Sequence, residues 1–103
     1  MSTNIKLSGK FSTEQPTIEI DKKKYPINNG LESVLAFQEA ANAGLRGTLD
    51  ALKGALGEEA YVEIGVGKMN INNIKVLSTG ILAAQAGITY EEAAARFRGA
   101  KQS

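Results

Sequence analysis

A chain of 103 residues has room for one domain with a modest core, and 43% hydrophobic with 22% charged residues is the balance of an ordinary soluble fold. Twelve basic against eleven acidic residues leave a formal charge of +1, which argues against a dedicated nucleic-acid or membrane-surface binder. Neither cysteine nor histidine occurs, so disulfides, thiolate chemistry, imidazole acid-base catalysis and Cys- or His-based zinc and haem sites are excluded.

Residues 5 to 27 read as β structure. Ile5 and Leu7, then Ile18 and Ile20, then Tyr25 and Ile27 alternate with polar neighbours, which places one apolar face toward a core. Ser12-Thr13-Glu14-Gln15-Pro16 forms one turn between these runs. Asp21-Lys22-Lys23-Lys24 forms the other, a compact charged link that predicts an antiparallel hairpin. Pro26 lacks a ladder donor, so its strand belongs at an edge or near its end.

From Leu31 the apolar period turns helical, with Asn28 or Asn29 as cap and Leu31, Val34 and Leu35 opening a stripe. The stripe resumes at Leu45, Leu49, Leu52 and Leu56, spaced four, three and four along one face. Between the groups, Asn42-Ala43-Gly44 and Gly47 predict a bend or break near residues 42 to 44. Gly57 is a stop signal. Over residues 58 to 69, Tyr61, Val62, Ile64 and Val66 fit a short helix or a strand equally well, and Gly65 and Gly67 favour a loop. Asn70 or Asn72 then caps a helix with Ile74, Leu77, Ile81 and Ala84 on one face, ending near Gly87. Thr89 stands three residues before Glu92, the spacing of a capping box, and opens a last helix with Tyr90, Ala93, Ala94 and Phe97 inward. A frayed tail is expected over 99–103.

The fold class these elements predict is α+β: one domain over 1–103, with a β-hairpin or small sheet at about 5–27 and three to four helices over about 30–98. No apolar run approaches the roughly 18 residues of a membrane span, and the first six residues hold no apolar leader core. The expected setting is therefore cytoplasmic.

Chemistry-bearing motifs are few. Gly65-Val66-Gly67-Lys68 invites comparison with a phosphate loop, but Val62 and Met69 stand where glycine and a hydroxyl residue are needed. Glu58-Glu59 and Glu91-Glu92 are adjacent pairs at predicted helix starts, where negative charge favours the dipole; such neighbours do not share a helix face. Asn70, Asn72 and Asn73 read as cap and turn residues, and Lys22-Lys23-Lys24 as a solvated hairpin tip. The expectation is a non-enzyme with no catalytic, metal or cofactor residue. Ile81 to Thr89 has the small residues and glycine of a helix-turn-helix corner, yet Glu91 and Glu92 lie at the end of the second helix that would face phosphates.

The order of parts is more telling. Thr17-Ile18-Glu19-Ile20-Asp21-Lys22-Lys23-Lys24-Tyr25-Pro26-Ile27-Asn28, the Leu-rich helices after Leu31, the Leu56-Gly57-Glu58-Glu59 step and Thr89-Tyr90-Glu91-Glu92-Ala93-Ala94-Ala95-Arg96-Phe97 together resemble small tail assembly chaperones of tailed phages and prophages. The resemblance spans most of residues 16 to 98 and contains no diagnostic catalytic motif. It implies a non-enzymatic protein of the host cytoplasm that binds the tape measure protein transiently, keeps its apolar helices soluble and is absent from the finished virion. It also implies self-association as an option and assigns no partner-binding residue. The Leu45-Leu49-Leu52-Leu56 and Ile74-Leu77-Ile81 stripes are candidate docking surfaces, although core packing is the simpler reading of both. Two alternatives stand beside this one: a small DNA-binding regulator using residues 74 to 98, and a structural tail or head-completion protein of the virion.

Overall fold

The structure, a computed structural model, describes residues 3–11 and 14–102; the side chains of 41–43 and 97–102 also fall outside the described part. Two strands come first, β1 (Thr17–Ile20) and β2 (Lys23–Pro26), paired antiparallel with Ile18 opposite Tyr25 and Glu19 opposite Lys24. Four α-helices follow: α1 (Leu31–Leu56), α2 (Glu58–Ile64), α3 (Ile71–Ala86) and α4 (Tyr90–Gln102), with a 3-10 turn at Val66–Lys68 between α2 and α3. The α+β class therefore holds, with five helical elements against the three to four expected.

The hairpin turn is only two residues long. Asp21 and Lys22 both take positive φ, 50° and 71°, the pattern of a type I′ turn whose twist suits the flanking strands. Past the paired residues, Ile27 N–H donates to the Pro16 carbonyl at 2.8 Å. Because hydrogen-bonded pairs alternate along an antiparallel ladder, 18/25 and 20/23 are bonded while 17/26 and 19/24 are not. Pro26 thus occupies a position that requires no donor. The same parity aims the backbone groups of Thr17 and Glu19 away from β2. Ile18, Ile20 and Tyr25 share the face that meets the helices, and Ile27 beyond them is fully buried.

The strand expected at Ile5 and Leu7 is absent. Ile5 is 74% exposed, Leu7 and Phe11 also lie in solvent, and a turn from Leu7 to Lys10 closes with a 2.9 Å backbone bond around Gly9, whose φ is 82°. Alternation alone did not make a strand here because no edge was brought alongside it.

In α1 the predicted bend is real and sits at Gly44, whose φ of 81° and ψ of −170° belong to a region open essentially only to glycine. The cap differs from expectation. Gly30 is the N-cap, and Asn28 serves from outside by accepting the Gly30 N–H at 2.9 Å. The inward stripe of the first arm also differs: Phe37 and Ala40 are buried, whereas Leu31 and Leu35 are exposed. After the bend, Leu52 and Leu56 are buried and Leu49 packs against them, while Leu45 remains exposed.

Gly57 ends α1 and starts α2, donating to the Lys53 carbonyl and accepting from Tyr61 N–H. Of the readings left open for 58–69, the helix forms over 58–64, because Glu58 and Glu59 complement its amino end and Gly65 closes it in the left-handed conformation. Asn70 caps α3 as predicted, its Oδ1 accepting from Asn73 N–H at 2.7 Å. Ile74, Leu77 and Ile81 are buried, with Ala84 packed against the core. Gly87 ends α3 with a φ of 70°. The capping box of α4 is present in both directions: Glu92 N–H donates to Thr89 Oγ1, and Thr89 N–H to the Glu92 carboxylate, each at 3.1 Å. Ala93 is fully buried, but Tyr90, expected inward, is 41% exposed. The backbone of α4 is helical to Gln102, past the Gly99 where the tail was expected to begin; the expected inward placement of Phe97 lies outside the described residues.

Asn28 joins three elements. Its N–H donates to the Ala55 carbonyl near the end of α1 at 2.9 Å, and its own carbonyl accepts from Gln85 Nε2 on α3 at 2.9 Å. The first of these satisfies one of the carbonyls that a helix end leaves without a partner.

Candidate functional site

The two stripes considered as docking surfaces are mostly core. Leu49, Leu52 and Leu56 face Ile74, Leu77 and Ile81 across the α1–α3 contact, so of these seven residues only Leu45 is left to solvent. What is free lies elsewhere. Leu31 and Leu35, one helical turn apart, stand on the outer face of the first arm of α1, roughly opposite Ala40 around the helix.

The bend at Gly44 creates a second feature, a cleft of about 240 Å³ between the two arms of α1. Ser33, Ala36 and Ala40 line it from one arm and Gly47, Ala51 and Gly54 from the other. Their small side chains leave the space open, and Glu39 and Asp50 add carboxylates at its wall. Sequence reading noted Gly44 and Gly47 as helix weakeners; the cleft they produce depends on how far the arms diverge, which spacing does not encode.

An ionic cluster ties the hairpin to α2. Lys23 Nζ meets the Glu63 carboxylate at 2.6 Å and lies 5.2 Å from the Tyr25 ring centre. The hydrogen bond from Lys23, reinforced by one from the Tyr25 phenol, holds the Glu63 carboxyl below its usual range. The same bond raises the Lys23 ammonium, and burial of the ring followed by the Glu63 interaction raises the Tyr25 phenol. The cluster fastens structure, since its carboxylate is already occupied and its cation is mostly in water. The middle lysine of the charged turn is therefore a strand residue with a partner forty positions away, which no local pattern could reveal.

Gly65-Val66-Gly67-Lys68 is a structural anchor: Val66 is buried in the core and Gly65 caps α2. Glu58-Glu59 and Glu91-Glu92 lie in the first turns of α2 and α4. Among the described residues no group of three acidic side chains is placed to hold a metal ion. At the α3–Gly87–α4 corner, Glu91 is exposed at the amino end of the second helix and Glu92 is engaged in the cap. Among the described residues no helix is long and apolar enough to cross a membrane. No protein-family model, curated protein or solved structure matches the chain.

Proposed function

We propose that this chain is a non-enzymatic binding protein of tail assembly, a chaperone that transiently covers an apolar helical segment of a tape-measure-like partner. The observation that carries this reading is the Leu31–Leu35 pair, held in solvent on a helix whose opposite face is anchored in the core by Phe37 and Ala40. Two leucines at i and i+4 are the anchor spacing with which one helix receives another. Burying each contributes about 2 kcal/mol, a strength suited to transient contact.

Co-expression with a large helical protein, should one be encoded immediately downstream, tests this. The wild-type chain should raise the soluble fraction of that partner, and Leu31→Asp with Leu35→Asp should abolish the gain while leaving the chain's own circular dichroism and solubility intact. A partner equally insoluble with and without the wild-type chain would defeat the proposal. Salt-dependent retardation of duplex DNA that weakens on Arg96→Ala would instead favour the α3–α4 corner as a DNA reader. Recovery of the chain in purified particles would favour a virion component.

A further inference from the structure

The exposed segment before β1 and the free edge of β1 are complementary. We propose that residues 4–8 of one copy add as a third, antiparallel strand to the β1 edge of a second copy, with Lys6 opposite Glu19. This inference goes beyond the reading above and does not depend on it.

Three observations carry it. Ile5, Lys6 and Leu7 alternate as a strand does, yet Ile5 and Leu7 lie in solvent with no strand beside them. β1 has the converse deficiency: its outward positions, Thr17 and Glu19, have their backbone groups turned away from β2, and among the described residues no backbone bond reaches them from that side. The two also match in charge and polarity. Antiparallel addition with Lys6 across from Glu19 puts Ile5 opposite Ile20 and Leu7 opposite Ile18 on the helix-facing side, and lays the lysine against the carboxylate on the outer side. A slip of one residue would reverse both faces.

The occupant is a second copy because of the turn at Gly9. The bond from Lys10 N–H to the Leu7 carbonyl makes a tight turn directly after the segment, and the segment does not pair with β1 of its own chain. A separate β1 carries no such restriction.

The absence of cysteine makes the test clean. Full-length chains carrying Lys6→Cys and Glu19→Cys separately, mixed under a glutathione redox buffer, should form a mixed disulfide dimer, since directly opposed strand residues have the separation a disulfide needs. Ile5→Asp with Leu7→Asp, added to the first chain, should lower the yield about tenfold or more, because both residues are already exposed and the fold does not need them. The proposal is overturned if the yield equals that of Lys6→Cys mixed with Lys68→Cys, or is unmoved by the two aspartates. It is equally overturned if a chain carrying both Lys6→Cys and Glu19→Cys closes on itself at low concentration in place of dimerising.

Discussion

The two arms of α1 carry similar leucine patterns and meet opposite fates. After Gly44, Leu52 and Leu56 are buried with Ile74, Leu77 and Ile81; before it, Leu31 and Leu35 face water although Phe37 and Ala40 on the opposite face do not. Both arms are helical, so propensity does not separate them. The second arm turns Leu49, Leu52 and Leu56 into the core with Ile74, Leu77 and Ile81, whereas the first turns Leu31 and Leu35 outward. A leucine stripe thus reports that a helix is amphipathic, and only a neighbouring element decides whether the stripe is core or surface.

Truncation should separate the arms most sharply. Leu52→Ala should cost about 2–5 kcal/mol in urea unfolding, as a cavity in a closed core does, whereas Leu31→Ala should stay within about 0.5 kcal/mol. Equal losses would erase the distinction. Next in size, Gly44→Ala should cost about 1–3 kcal/mol. No atom lies within 4 Å of the added Cβ, so the loss would come from the backbone conformation alone. Relaxation into a straight helix would close the cleft and appear as increased helical circular dichroism. Thr89→Ala should remove about 1 kcal/mol by opening the cap of α4, with the spectrum of the remaining helices retained.

The smallest effect is the pH response of the Lys23–Glu63–Tyr25 cluster. Glu63 has a folded pKa below its ordinary 4.5, so its contribution is present above that value and is lost as pH falls through the depressed one. Lys23 and Tyr25 are raised from 10.5 and 10.0, so theirs is present below those values and is lost as pH rises through the raised ones. Glu63→Gln should therefore lower the middle of the stability profile, where the contribution is present, toward its acidic and alkaline ends, and so flatten both limbs. Because Lys23 and Glu63 are about half exposed, the difference should shrink further in high salt.

Local signals were legible. The Thr89–Glu92 box, the Asn70 cap, the Gly57 stop and the bend near Gly44 each depend on residues within one helical turn, and each stands where the sequence placed it. Features that need a distant partner were not. Ile5 and Leu7 alternate without an edge of their own chain to join, Tyr90 has an inward helical phase but stays 41% exposed, and Lys23 finds Glu63 only once the hairpin lies beside α2. The region 58–68 stayed open between helix, strand and loop for another reason: its β-branched residues and glycines serve a short helix whose ends, at Gly57 and Gly65, are glycines in positive φ. For the candidate surface, the leucines were visible in the sequence but their exposure was not.

Asn28 lies outside every helix and strand, yet its amide is committed to Ala55 and its carbonyl to Gln85. Hydrogen exchange should accordingly treat it unlike its neighbours in the link between β2 and α1. Deuterium should enter at Asn28 only when the hairpin, the end of α1 and the end of α3 come apart together, while Asn29 exchanges early. One loop amide would then act as a clock for opening of the whole domain.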